Sequence, residues 1–390
     1  MFNLTSEQME RLKAIHTTQE VHQQPTVWKE VVGVFSKQKE SYRQFLEAIY
    51  GKHEQVRVIF TGAGTSAFAG DTLAPILRKL GPEQVVFDSI ATTDIVSNPE
   101  EYLDKKTPTI LVSFARSGNS PESVAAVSLG ENMIEHFYQV IVTCNKDGQL
   151  AKNVKGDANS LLILTPEQAH DQGFAMTSGF TSMMISAYLL FAAKDVLQQD
   201  IEHVIANGKN FVDRVANQVD EIVSLNFERI VFLGSGLLGQ LAHEAALKML
   251  ELTSGKVVAV HESSLGFRHG PKTILNEKTL VVVFMSKDAY TRKYDVDIVR
   301  ELATDGSPSK LIVVDEKEDE ELKNLANWTI DVNKTDTGLN NDFSLALLYV
   351  IFAQVLALKK SIELGITPDN PSPEGRVNRV VQGVTIYPWN

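Results

Sequence analysis

Val58-Ile59-Phe60-Thr61-Gly62-Ala63-Gly64-Thr65-Ser66 is a run of apolar and β-branched residues that breaks into a glycine turn, and Ile230-Val231-Phe232-Leu233-Gly234-Ser235-Gly236-Leu237-Leu238 repeats it about 170 residues later. A helical pattern follows each copy. Two further pairs keep the order and the offset: Thr109-Ile-Leu-Val-Ser-Phe114 with Thr279-Leu-Val-Val-Val-Phe284, and Val140-Ile-Val-Thr143 with Leu311-Ile-Val-Val314. The runs are continuously apolar rather than alternating, as strands of a parallel sheet covered on both faces are. Helical stretches between them make right-handed βαβ units. The expected fold is therefore α/β: two tandem doubly wound parallel-sheet domains, whose ligands sit beyond the C-terminal strand ends.

Outward from this repeat, residues 1–50 read as an amphipathic helical arm, as in Glu7-Gln-Met-Glu-Arg-Leu12, packed on the first domain. The domains span 51–205 and 206–366, with a helical linker from Ala193 to Glu228. In the tail, 367–390, Pro368, Pro371 and Pro373 break helix. Val377, Val380, Val381, Val384 and Ile386 are too apolar for a solvated end, and the tail is expected to pack on the body near the active site. The 390 residues carry a net charge of −12, which argues against nucleic acid and anionic membranes as partners. No apolar run is read as reaching the roughly 20 residues that span a bilayer. The N-terminus has no signal pattern, and the single cysteine, Cys144, permits no intramolecular disulfide, so a cytoplasmic location is expected. Cys144 reads as a small buried residue rather than a nucleophile.

Gly62-Ala-Gly64-Thr-Ser-Ala67 and Gly234-Ser-Gly236-Leu-Leu-Gly239 each resemble the dinucleotide fingerprint, and Asp88 ends the strand after the first. A nicotinamide or flavin oxidoreductase is thus one reading. The other is a phosphate site. Thr65 and Ser66 bring hydroxyls to the first turn. The next strand ends in Ser113-Phe-Ala-Arg116-Ser117-Gly118-Asn119-Ser120-Pro121-Glu122, a hydroxyl-rich loop that enters a helix at Pro121. Two such loops on neighbouring strand ends can enclose one phosphate. The second half offers only Met285-Ser286-Lys287-Asp288 there, so one phosphate pocket, in the first half, is expected.

The helix after the second turn carries Glu244, Lys248 and Glu251 at i, i+4 and i+7, on one face. Their neighbours are Ala, Leu and Met, which implies burial and usable pKa shifts. A surface ladder of ion pairs is the plain alternative. A polar run, His261-Glu262-Ser-Ser-Leu-Gly-Phe-Arg268-His269-Gly-Pro-Lys272, follows on an expected loop, with His269 as an acid/base candidate. The nine histidines show no metal-ligand spacing, and no metal is expected.

These residues resemble the SIS (sugar isomerase) family. The layout is similar to the tandem isomerase half of glucosamine-6-phosphate synthase. Within the family it resembles the tagatose-6-phosphate ketose/aldose isomerases, also described as galactosamine-6-phosphate deaminases. Glu20-Val-His-Gln-Gln24-Pro25 in the arm and Val377-Asn-Arg-Val-Val-Gln382-Gly-Val-Thr385 in the tail extend the likeness over nearly the whole chain. The resemblance implies flavodoxin-like SIS domains. It implies Ser66, Ser117 and Ser120 as phosphate ligands, beside Gly64, Thr65 and Gly118. It makes Glu251 the base that moves a proton between C1 and C2, with Lys248 and Glu244 as pocket neighbours. His269 becomes the ring-opening histidine, lent by the partner subunit, so a homodimer or larger assembly is implied. Ala115 and Arg116 depart from the synthase loop, Arg116 serving as a compensating phosphate ligand. Gln382 stands where the synthase has an imine-forming lysine, and no Schiff base is expected. Without a glutaminase domain the reaction is expected to run towards ammonia release: galactosamine 6-phosphate to tagatose 6-phosphate, with no cofactor. A plain ketose/aldose isomerase remains open, as does a non-catalytic sugar-phosphate sensor.

Overall fold

The structure is a computed structural model that describes residues 1–192, 197–335, 338–381 and 383–389. Two compact units divide the chain. One is built from Val27–Asp171, Met176–Gln198 and the tail from Gly375, and the other from Met1–Thr26, Gln172–Ala175 and Gln199–Glu374.

The first unit holds a five-stranded sheet: β1 (Val56–Thr61), β2 (Val85–Ser89), β3 (Thr109–Ala115), β4 (Phe137–Thr143) and β5 (Ser160–Leu164). Its spatial order is β2-β1-β3-β4-β5, and every pairing is parallel. The second unit repeats this with β6 (Arg229–Gly234), β7 (Val258–Ser263), β8 (Thr279–Phe284), β9 (Lys310–Asp315) and β10 (Trp328–Asp331). Their order is β7-β6-β8-β9-β10, again all parallel. Both sheets are thus doubly wound in the flavodoxin-like order. The strand order reverses between β1 and β3 and between β6 and β8, where such folds bind ligands.

Each sheet is anchored by the same aromatic ladder. Phe60 stacks on Phe87 and Phe114 and meets Phe191 edge-on. Phe232 stacks on Phe284, which stacks on Tyr349. All seven are fully buried or nearly so; each such side chain contributes about 1.5–3 kcal/mol of burial. The repeated turns share a backbone too. Gly64 (φ 55°, ψ −130°) and Gly236 (φ 60°, ψ −129°) each precede a 16-residue helix, Thr65–Leu80 and Leu237–Leu252, in a conformation that L side chains rarely adopt. A Cβ on Gly62 would lie 2.6 Å from Ser66, and one on Gly234 would lie 2.6 Å from Leu238, so glycine lets strand and helix meet.

Four expectations change. The helix Asp342–Glu363 is long and apolar enough to cross a bilayer, although no such run was read in the sequence, because Ser344 and Gln354 interrupt its apolar pattern. Its apolar window is 94% buried, so its composition answers to the core. The arm does not pack as one piece on the first sheet's unit. Its first 26 residues belong to the unit of the second sheet, where Gln24 donates to Gln354 (2.8 Å) and Thr17 donates to Asp369 (2.8 Å). From Val27 the arm helix joins the other unit, where the Trp28 indole donates to Thr181 (2.8 Å). The polar run from His261 does not start as a loop: His261–Ser263 finish β7, an edge strand whose outward positions need not be apolar. The tail keeps Val377, Val381, Tyr387 and Trp389 exposed. A helix spans Leu197–Val223 in the linker, whose residues 193–196 lie outside the described residues, as does Gln382.

Candidate active site

In the first sheet's unit, the register Thr61↔Ser113 sets the ends of β1 and β3 side by side. The loops that leave them carry the expected phosphate ligands. Thr65 and Ser66 are buried in the first turn of the helix Thr65–Leu80, behind Gly64. Among the described residues, Ser66 Oγ has no intramolecular hydrogen bond, which leaves it available to a ligand. In the second loop, Gly118 takes φ +66°, and Ser117 Oγ accepts from the Asn119 N–H (3.3 Å). Ser120 faces Ser123 (3.4 Å), and Pro121 is the first residue of the helix Pro121–Met133. Helix N–H groups therefore open toward the loop.

Several residues that the sequence reading passed over hold this loop. Asn145 Nδ2 donates to the Ser117 carbonyl (2.8 Å), the Gln149 N–H to Asn119 Oδ1 (2.9 Å) and the Leu150 N–H to the Gly118 carbonyl (3.1 Å). A Cβ on Gly148 would lie 2.5 Å from the Ser117 carbonyl, so the β4 loop needs glycine there. The signal was present in Asn145-Lys-Asp-Gly148, a turn sequence following a strand. Arg116 donates to the Arg379 carbonyl of the tail (2.5 Å), and the Arg379 guanidinium donates to the Asp171 carbonyl. The tail thus reaches the loop through Arg379. The Asp171 carboxylate accepts from the N–H groups of Thr177 (2.7 Å) and Gly179 (2.9 Å) and from the Ser178 hydroxyl. Burial pushes its pKa up, against these hydrogen bonds. Burial also pushes the Cys144 thiol up to about 12, which leaves it inert as a nucleophile. A cavity of about 960 Å³ between the helix Pro121–Met133 and the tail is lined by Asn119, Pro121, Ala125, Tyr387 and Trp389; Ser66 and Ser117 do not line it.

In the second sheet's unit, the helix Leu237–Leu252 packs on the helix Asp342–Glu363 and on β6 and β7. Glu244 and Lys248 are fully buried on it. The Lys248 ammonium sits 3.4 Å from Glu244 and donates to Glu251 Oε2. Burial pulls the Lys248 pKa down, but the two carboxylates outweigh it, so the group is held charged above the usual lysine value. Glu251 keeps 24% of its side chain exposed, so it alone of the three can meet a substrate. The ladder is therefore internal, not a solvated surface row. His269 is exposed at the end of a short turn, Gly266–His269. Among the described residues it forms no hydrogen bond or ion pair with Glu251. Its neighbours are tethered: Arg268 donates to Glu301 (2.5 Å), and Lys272 pairs with Glu301 and with Asp305 (2.7 Å). Among the described residues, no group of three or more His, Cys, Asp or Glu could hold a metal ion. Asp88, the acidic residue the dinucleotide reading needs, is engaged by Arg57 (2.7 Å) on the neighbouring strand.

A SIS-domain family model matches residues 53–193 and again residues 225–363. The chain belongs to the SIS-domain family. Among its relatives, the D-galactosamine-6-phosphate deaminase AgaS of Shewanella sp. (strain ANA-3) is 41% identical, over 99% of this chain and 95% of that one. The crystal structure of tagatose-6-phosphate ketose/aldose isomerase from Escherichia coli superposes with a TM-score of 0.88 at 37% identity, covering 96% of each chain. A solved structure from Clostridium novyi reaches a TM-score of 0.96 at 39% identity, covering 100% of this chain and 99% of that one. The two SIS matches fall on the two sheets, and each glycine turn opens its SIS domain. The dinucleotide reading is not favoured.

Proposed function

We propose that this SIS-domain chain is an enzyme acting on a hexosamine 6-phosphate, which converts galactosamine 6-phosphate to tagatose 6-phosphate and ammonia. The observation that carries the reading is the full-length likeness to the Shewanella deaminase at 41% identity. The E. coli structure favours, as a second reading, plain interconversion of tagatose 6-phosphate with its aldose.

The first domain, 51–205, binds the 6-phosphate through Gly64, Thr65, Ser66, Arg116, Ser117, Gly118 and Ser120. The second, 206–366, supplies Glu251, Lys248 and Glu244. The arm, 1–50, and the tail, 367–390, brace these two domains. His269, lent by a partner subunit in at least a dimer, opens the sugar ring. Glu251 then takes the C2 proton from the open-chain amino-aldehyde and leaves an enolamine between C1 and C2. Returned to C1, that proton yields a C2 imine. Water adds to the imine, and ammonia leaves as the ketone forms. Lys248 supports this by fixing the carboxylate it donates to. These steps are proton transfers and a hydrolysis, and need no organic cofactor. A phosphorylated substrate and a lone buried thiol support a cytoplasmic location.

The test is ammonia release from galactosamine, glucosamine and mannosamine 6-phosphates, with tagatose 6-phosphate isomerisation run beside it. Galactosamine 6-phosphate is expected to give the highest kcat/KM, and Glu251→Gln to lower it by about 10²–10⁴-fold without loss of fold. Isomerisation with no ammonia from any amino sugar would leave the second reading in place. Near-normal turnover by a folded Glu251→Gln protein would remove Glu251 as the base.

A further inference from the structure

The second sheet has a switch point as complete as that of the first, and its own side chains fill it. Asp295 is fully buried at the C-terminal ends of β6, β7 and β8. Its carboxylate accepts from Ser235 Oγ after β6 (2.6 Å), Ser264 Oγ after β7 (2.5 Å) and the Ser286 N–H after β8 (3.0 Å). A second carboxylate completes the set: Asp342 accepts from Ser286 Oγ (2.6 Å) and the Lys287 N–H (2.7 Å). Three hydroxyls and two backbone N–H groups converge at the crevice between β6 and β8. That donor set, at that place, is what an oxyanion recruits in this class of fold.

The first copy shows what changes when these carboxylates are missing. The strand pairs Arg57↔Thr109 and Arg229↔Thr279 put β3 and β8 at an offset of 170 residues, and the helices that follow, from Pro121 and from Thr291, keep it. Asp295 is the fifth residue of its helix, and the fifth residue of the other is Ala125, which brings no carboxylate. Asp342 opens the helix after the fifth strand of its sheet. The matching helix in the first copy opens with Ser178. Both carboxylates are thus replaced by small neutral residues in the copy that keeps the serine loop.

We infer that the second SIS copy retains an anion cradle, closed by the protein's own Asp295 and Asp342 carboxylates, and that removing Asp295 uncovers a second binding site for a small oxyanion. Each chain then holds one sugar-phosphate site, because the other position is filled from within. This rests on the second unit's geometry and holds whichever substrate the enzyme takes.

The probes are sodium formate, which can replace the missing carboxylate, and inorganic phosphate, each at millimolar concentration against sodium chloride of equal ionic strength. Full-length Asp295→Ala leaves three donors facing a gap, so its thermal midpoint is expected to fall by roughly 5 °C or more. Formate and phosphate are expected to restore most of that loss. Formate should leave the wild-type midpoint unchanged, and phosphate should raise it less than it raises that of Asp295→Ala. Asp295→Asn keeps the volume but turns amide hydrogens toward donors. It should also lose stability, and formate should not rescue it, because the cradle stays full. A folded Asp295→Ala protein that responds to both anions no more than the wild type does would overturn the inference. So would an Asp295→Asn protein with a wild-type midpoint, which decides the matter if Asp295→Ala does not fold.

Discussion

Lys248 places its ammonium between Glu244, which water does not reach, and Glu251, which it does. A charge buried in this way is tolerable only while its partners remain, and removing one partner of a buried pair typically costs about 3–5 kcal/mol. Lys248→Met strands the Glu244 carboxylate and should lower unfolding stability by that amount. Pairing it with Glu244→Leu should recover more than half, because no buried charge is then left alone. Chemical unfolding of the two variants beside the wild type measures this; equal losses in both would mean that the ammonium does not compensate Glu244. The trio was legible in the sequence because helical spacing alone puts i, i+4 and i+7 on one face. The depth at which it sits was inferred only from Ala, Leu and Met neighbours. Which of the three meets solvent was not legible, since that depends on where the facing helix ends.

At the scale of elements, β7 and the helix Leu237–Leu252 bring His243 and His261 together, with rings 3.9 Å apart and 17° from parallel. Burial pulls the His243 pKa down to about 4, and the neighbouring His261 adds to this. Burial likewise lowers His261, with Glu262 opposing it. The unfolded chain therefore binds protons here more readily than the native one does. Stability present above pH 6.5 should be lost as pH falls from about 6.5 toward 4, by about 1–2 kcal/mol once solvent screening of this half-exposed pair is allowed for. Asp171, Asp295 and Asp315 act in the opposite sense. Burial raises them, so acidification favours their native form. The comparison that isolates the pair is urea unfolding at pH 7 and pH 5 of the wild type and of His243→Phe. The variant should lose less stability between the two pH values, and an identical loss would rule the pair out as the source. This pairing was invisible in the sequence, where His261 opened an expected loop. An edge strand with outward polar side chains lacks the continuous apolar pattern that betrayed β1, β3, β6 and β8. The short outer strands β5 and β10 went unread for a related reason, since a brief run at the margin of a sheet carries little periodicity.

For the whole molecule, the proposed mechanism joins a base on one subunit with a ring-opening histidine from another. A shared site of that kind makes a countable prediction. Glu251→Gln and His269→Asn should each be nearly inactive alone. Subunits exchanged at equal proportions should give about half heterodimers, each with one fully native site of two, and so roughly a quarter of wild-type turnover. No recovery, with exchange verified by mass, would place both residues in a single subunit's site. The long-range ties in the fold, Thr17 with Asp369 and Arg116 with Arg379, join segments more than 250 residues apart. Nothing in either local sequence announces such a partner, so the division of the arm between two units and the route by which the tail reaches the loop had to wait for coordinates.

What the sequence determined by itself was everything governed by local steric and solvation rules. Continuous apolar runs demanded parallel strands covered on both faces, glycines demanded turns that no other residue makes cheaply, and the recurrence of both at one offset demanded two copies of one domain. What only the tertiary structure decided was what fills the crevice of the second copy. The same crevice forms in both. In the second it is filled from within, because the fifth residue of a helix there is Asp295, which the serine hydroxyls after β6 and β7 reach, where the first copy has Ala125. Carboxylates are ordinary on a helix, and only the convergence of three strand ends on one of them makes it a plug.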